Sequence, residues 1–73
     1  MARIEARSEV TGIIAKIEAK AGDRLEAGST VLFVESMKME IPVMVDDGAT
    51  LRQVLVAVGD TVAEGQIVAV LES

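Results

Sequence analysis

Alternation of apolar and polar residues along this 73-residue chain predicts β-strands. Successive side chains of a strand point to opposite faces of a sheet, so a strand with one buried face shows a period of two. Either this alternation or a short β-branched run marks six segments: Arg3–Arg7, Gly12–Ala19, Thr30–Glu35, Met39–Val45, Leu51–Val58 and Gln66–Leu71. The pattern therefore predicts an all-β fold.

Turn-forming residues separate these segments. They are Thr11-Gly12, Gly22-Asp23, Gly28-Ser29, Asp46-Asp47-Gly48, Gly59-Asp60 and Gly65. Strands of this length and spacing suit a small sandwich or barrel. Pro42 has no amide hydrogen to donate to a ladder, so we expect its strand to lie at a sheet edge or to be irregular there.

An internal repeat relates the two halves of the chain. A shift of 37 residues aligns residues 1–36 with residues 38–73. Seven of the aligned pairs are identical: Ile4/Ile41, Gly22/Gly59, Asp23/Asp60, Gly28/Gly65, Val31/Val68, Glu35/Glu72 and Ser36/Ser73. We interpret the chain as a single domain, residues 1–73, built from two copies of one half. The repeat also favours a strand over a helix for Ile14–Ala21, because the equivalent Leu51–Val58 is rich in valine.

Each half carries the motif Gly-Asp-x-(Leu/Val)-x-x-Gly, at Gly22–Gly28 and Gly59–Gly65. Glycine can adopt a positive φ, and the aspartate side chain can accept a bond from a backbone amide two residues further on. We therefore predict structural corners, with Leu25 and Val62 pointing into the core.

Composition excludes several classes of function. The chain has no Cys, His, Trp or Tyr, a single Phe, and a formal charge of −5. Without Cys or His there is no thiol nucleophile, disulfide or imidazole base. The negative charge and the lack of stacking aromatics argue against a nucleic-acid partner. No apolar run is long enough for a membrane span or a signal peptide, so we expect a cytoplasmic protein that does not contact the membrane.

Conventional catalytic groups are scarce among the remaining residues. Ser36 and Lys38 are two positions apart, but nothing indicates a pocket in which they would act as a dyad. Asp46 and Asp47 precede Gly48 between two predicted strands, and a turn explains them better than a cation site. We therefore predict that the chain is not an enzyme.

The segment Met37-Lys38-Met39 lies at the seam of the repeat. The strands on either side leave only about two residues for their connection, which predicts a tight hairpin with Met37-Lys38 at its tip. A tip cannot bury both of its side chains, and exposed methionine beside lysine is typical of a surface presented to a partner.

With these features the sequence resembles the biotinyl/lipoyl attachment domains over nearly its whole length. The segment from Glu35 to Glu40, Glu-Ser-Met-Lys-Met-Glu, is similar to the Ala-Met-Lys-Met signature of biotin carrier domains, although Ser36 replaces the usual alanine. The two corner motifs and the Gly48 turn match as well. The resemblance implies a flattened barrel-sandwich of two four-stranded antiparallel sheets with quasi-two-fold symmetry, and chain termini at the end opposite the hairpin.

The chain opens at Met1 and closes just after the second repeat, so we expect a stand-alone protein. Its Val, Leu and Ile residues suffice for the predicted core without a dimer interface, so we expect a monomer. The resemblance further implies a biotin carboxyl carrier-like protein. A biotin protein ligase would attach biotin covalently to Lys38, recognising Met37 and Met39, with Glu35, Ser36 and Glu40 flanking the hairpin. The arm would then carry a carboxyl group between the active sites of biotin-dependent carboxylase, carboxyltransferase or decarboxylase subunits.

Two alternatives remain open at this point. Lipoyl domains resemble the same fold and are modified on the equivalent lysine, so lipoate on Lys38 is the close rival. They usually place Asp before the lysine and Ala after it, whereas this chain has Met37 and Met39. The second alternative is a structural sandwich module in which Lys38 is never modified.

Overall fold

The computed structural model describes residues 2–73, and Met1, the first residue of the first repeat, lies outside the described residues. The described chain contains eight strands: β1 Arg3–Arg7, β2 Gly12–Ile17, β3 Arg24–Leu25, β4 Thr30–Ser36, β5 Met39–Met44, β6 Ala49–Val54, β7 Thr61–Val62 and β8 Ile67–Glu72. No helix within residues 2–73 has the length and apolar character needed to cross a membrane.

The strands form two four-stranded antiparallel sheets. The first sheet has the order β1-β8-β6-β3 and the second has the order β5-β4-β2-β7. Within residues 2–73 no ladder joins a strand of one sheet to a strand of the other. The predicted fold class, two four-stranded antiparallel sheets packed as a flattened sandwich, is therefore confirmed.

The six segments of the alternation pattern are all strands, but their ends differ from the prediction. β2 ends at Ile17 rather than Ala19, and β6 spans Ala49–Val54 rather than Leu51–Val58. After Ile17 the chain leaves the regular β2–β4 ladder, and the amides of Glu18 and Ala19 both bond to the carbonyl of Val31. Pro42 lies on β5, an edge strand, as predicted.

Backbone hydrogen bonds reproduce the 37-residue repeat as a quasi-two-fold relation. The bond from the Gly22 amide to the Leu51 carbonyl, 2.7 Å, has its counterpart from Gly59 to Ile14, 2.8 Å. The shift also maps the strand order of one sheet onto the other, strand by strand. The half-domains are therefore equivalent in structure as well as in sequence.

The glycine corners are present, with one difference in their hydrogen bonding. Gly22 and Gly59 have φ values of 98° and 95°, in the left-handed region that glycine tolerates. The Asp23 carboxylate accepts a bond from the Lys20 amide at 3.0 Å, and Asp60 forms the same bond to the amide three residues before it at 2.9 Å. The prediction of a bond to an amide two residues further on is therefore wrong, because the residues just before the aspartate, not those after it, bring an amide to its carboxylate.

The inward faces of both sheets form one apolar core. Val62 is buried as predicted, whereas Leu25 is half-buried and packs against the core. The fully buried large side chains are Ile14, Leu32, Leu51, Leu71, Val31, Val34 and Val68. These aliphatic residues come from both repeats, so neither half has a complete core on its own.

The hairpin and the chain termini lie at opposite ends of a molecule that measures 35 × 17 × 17 Å. At one end the amide of Ser73 bonds to the carbonyl of Ala2. From there β1 runs along the first sheet, and the following loop leads to Gly12, beside the base of the hairpin in the second sheet. The termini are therefore kept away from the tip.

Candidate functional site

The connection between β4 and β5 is a two-residue hairpin turn. Ser36 pairs with Met39 across its base, which leaves Met37 and Lys38 as the loop. Their φ values are 52° and 66°, the positive values at both central residues that define a type I′ turn. The predicted tight tip is confirmed.

Neither loop residue suits this backbone conformation. The left-handed region costs a residue with a Cβ atom roughly 1–2 kcal/mol, and Asn-Gly is the preferred pair in such a turn. Met37 and Lys38 are held there by the β4–β5 ladder, which is continuous from Ser36–Met39 to Phe33–Pro42. The sequence therefore keeps two strained residues where a less costly turn was available, which points to a role other than folding.

The side chains of the tip project into solvent. Met37 is 92% exposed and Met39 is 62% exposed. Lys38 is exposed too, and within residues 2–73 no carboxylate lies within 4.0 Å of its amine, whereas the Lys16 amine lies 3.2 Å from the Glu18 carboxylate. Lys38 therefore presents to solvent a primary amine that forms no ion pair with the described residues.

The residues that flank the turn differ in their surroundings. Glu35 and Glu40 face each other across the ladder and are both exposed, while Ser36 is half-buried. Neither glutamate takes part in an ion pair among the residues that the structure describes. The structure thus places all six residues singled out by the sequence, from Glu35 to Glu40, around one turn.

Gly12 supports the base of the hairpin, a role that sequence reasoning missed. A Cβ atom at this position would collide with the Glu35 carbonyl oxygen and lie 2.9 Å from a Val34 methyl group. Glycine alone allows β2 to approach β4 this closely just before the turn. A glycine at the start of a predicted strand was the available signal, because such glycines often mark a close approach of two backbones.

Other candidate sites from the sequence gain no support. Asp46 and Asp47 lie in the exposed bend between β5 and β6. Within the described part of the chain, no group of three or more acidic side chains is arranged to hold a metal ion. The hairpin is thus the site with the clearest chemical character.

Similar proteins match the chain over most of its length. The "Biotin/lipoyl attachment protein" of Bacillus subtilis (strain 168) is 41% identical over 59 residues, which are 81% of each chain. The "Biotinylated protein TB7.3 homolog" of Mycobacterium leprae (strain TN) is 33% identical over 67 residues, 92% of this chain and 94% of the relative. The dihydrolipoyllysine-residue acetyltransferase component of the pyruvate dehydrogenase complex of Cupriavidus necator is 37% identical over 59 residues, 81% of this chain but 11% of that protein.

Comparison with solved structures and with a family model gives the same result. The crystal structure of Kluyveromyces lactis urea carboxylase superposes with a TM-score of 0.92 and 35% identity, covering 97% of this chain and 6% of the carboxylase. The model of the biotin/lipoyl family, described as "Biotin-requiring enzyme", matches residues 4–71. With the sandwich fold and the exposed hairpin lysine already established, this match means that the chain belongs to the biotin/lipoyl attachment family.

Proposed function

We propose that Lys38 is the site of covalent biotin attachment and that a biotin protein ligase modifies it. The observation that carries the proposal is the strained type I′ turn, which holds an unpaired lysine amine at the exposed end of the molecule. A purely structural hairpin would gain stability from Asn-Gly at these two positions.

The chemistry asked of the chain is one amide-forming step. The deprotonated Lys38 amine attacks the activated carboxyl carbon of the cofactor and forms a carbon–nitrogen bond. The bond from that carbon to the activating group breaks, and the activating group leaves with the electron pair. The nitrogen, positively charged after the attack, gives up one proton to water and becomes the amide nitrogen. Because the turn is already fixed by β4 and β5, the ligase does not have to order a flexible loop.

Once attached, biotin supplies the group that carries a carboxyl unit between two active sites. The hairpin contributes position, because a tether at the tip raises the concentration of the carried group near each partner. Catalysis is then left to carboxylase, carboxyltransferase or decarboxylase subunits, in keeping with a chain that has no His and no Cys. The sandwich has its own core, so we propose that the carrier works as a monomer.

The choice of biotin over lipoate rests on the neighbours of the lysine. Met37 and Met39 flank Lys38, as in the biotin carrier signature that the sequence resembles. Among the relatives described above, the one with the largest matched share of its own length is named as a biotinylated protein. A relative from a lipoyl-dependent complex also matches, so the experiment must distinguish the two cofactors.

Intact-mass measurement after expression with biotin and lipoate ligases tests the proposal. We expect the mass increment of one biotin, located on Lys38 by peptide mapping, and its loss in Lys38→Arg. Lys16→Arg is the matched control and should be modified like the wild type. A lipoyl increment would overturn the choice of cofactor, and an unmodified chain that purified ligase also leaves unchanged would favour a structural module.

A further inference from the structure

The quasi-two-fold relation provides an internal comparison for the base of the hairpin. One row of outward-facing residues crosses the second sheet at the level of the Glu35–Glu40 pair. We call it the hairpin-base row, and its members in order across the sheet are Glu40, Glu35, Ile13 and Thr61. The equivalent row of the first sheet, at the chain termini, consists of Arg3, Glu72, Thr50 and Arg24.

In the terminal row, the one acidic residue lies opposite a basic residue. Glu72 faces Arg3 across the ladder and forms an ion pair with Arg52. Its neighbour on the other side is Thr50, a half-buried polar residue. The terminal row therefore places no two like charges directly opposite each other.

The hairpin-base row has the opposite character. Glu35 faces Glu40, and like charges directly opposite each other in an antiparallel pair are destabilising. On the other side of Glu35 lies Ile13, which is 45% exposed at the position that Thr50 occupies in the other half. Because both rows occupy the same ladder positions, the fold accepts either set, and the acidic pair beside an exposed isoleucine is not required for folding.

We propose that the hairpin-base row is the surface on which the modifying ligase docks. Ile13 enters an apolar pocket of the ligase, and a ligase arginine or lysine neutralises Glu35 and Glu40. This inference rests on the proposed function, since it needs Lys38 to be the modified residue.

The position of the row favours the ligase over the later partners. Glu35 lies two residues from the turn, and Ile13 lies one strand further, so both are within about 10 Å of the tip at 3.3 Å per residue and 4.8 Å between strands. A ligase must bring its acyl donor to the end of one lysine side chain, and so must bind close to it. Partners that act after modification reach a longer arm and can hold the domain from further away.

Steady-state kinetics with purified biotin protein ligase tests the docking surface. Ile13→Thr places the residue of the terminal row in the hairpin-base row, and keeps a β-branched side chain on the strand. We expect its KM for the carrier to rise about tenfold with kcat nearly unchanged, the loss typical of one buried interface side chain. Met44→Thr, an exposed residue at the far end of β5, is the matched control and should leave KM unchanged.

The ionic-strength dependence tests the charged part of the row. The KM of the wild type should rise with salt, because salt screens the attraction between the row and a ligase cation. Glu35→Gln should raise KM at low salt and flatten this dependence, whereas Glu26→Gln, an exposed residue of a corner loop, should change neither.

The outcomes separate this inference from the proposed function. Modified Lys38 with wild-type KM and salt dependence in both Ile13→Thr and Glu35→Gln would overturn the docking surface and leave the attachment site intact. Absence of modification in the wild type would remove the proposed function itself. Thermal melting of each variant provides the folding control, and a KM effect that Met44→Thr reproduces would also contradict the proposal.

Discussion

Replacing Met37 by asparagine should stabilise the protein while impairing its modification. Met37 has φ 52° and is 92% exposed, so its side chain contributes almost no burial that a substitution would lose. The left-handed backbone costs a residue with an ordinary side chain roughly 1–2 kcal/mol, and asparagine tolerates this region much better. The backbone term therefore decides the sign of the change.

The expected gain in unfolding free energy is about 1 kcal/mol, allowing for incomplete relief of the penalty. For a domain of 73 residues this corresponds to a rise in Tm of roughly 4–8 °C. Circular dichroism melts and urea titrations measure both quantities, and a higher urea midpoint with an unchanged m-value would show a gain in stability without a change in the surface exposed on unfolding. Attachment of biotin should become slower, because the resemblance to biotin carrier domains implies that the ligase recognises this methionine.

Met44→Asn is the matched control for this prediction. Met44 is an exposed methionine on β5 that is not in the left-handed region, so asparagine gains nothing there and weakens a strand. Equal stability gains in the two variants, or no gain in Met37→Asn, would refute the argument from backbone strain.

Three further substitutions test other parts of the site and the fold. Gly12→Ala should lower the unfolding free energy by about 1–3 kcal/mol, since the added Cβ would collide with the Glu35 carbonyl oxygen. In the control Gly48→Ala, the added Cβ would lie closest to the flexible side chain of Arg24, so the loss should be smaller. Urea titration measures both losses. Asp60→Ala should cost about 1 kcal/mol through the lost bond to a corner amide, and an unchanged Tm would contradict this assignment. Glu40→Lys should raise stability by about 0.2–1 kcal/mol by ending the repulsion with Glu35, and should raise the ligase KM; a less stable variant would show that the two charges do not repel.

The hairpin was predictable because its signals are local. Two strand-like runs separated by two residues leave only a tight turn, and a tight turn exposes its central side chains. Even so, the sequence did not reveal the strain, because Met37 and Lys38 are not residues that favour a positive φ. The ladder between β4 and β5 imposes that conformation on them.

The corners were predictable only in part. Glycine at fixed positions of both repeats indicated positive φ values, and the structure confirms them at Gly22 and Gly59. The direction of the aspartate hydrogen bond was wrong, because it depends on the path by which the preceding residues enter the corner. That path is fixed where the chain crosses from β2 to the other sheet, by contacts with β6 such as the bond between the Gly22 amide and the Leu51 carbonyl.

The sequence by itself determined the strand-forming segments, the twofold repeat and the lysine at the seam, because alternation, spacing and turn chemistry act over a few residues. Only the tertiary structure decided where β2 ends, how closely Gly12 approaches β4, and that Ile13 lies beside Glu35. These features join residues more than ten positions apart, and their geometry follows from packing two twisted sheets around a shared core. Local patterns carry no information on such distances, and for this reason the surface at the base of the hairpin emerged only from the fold.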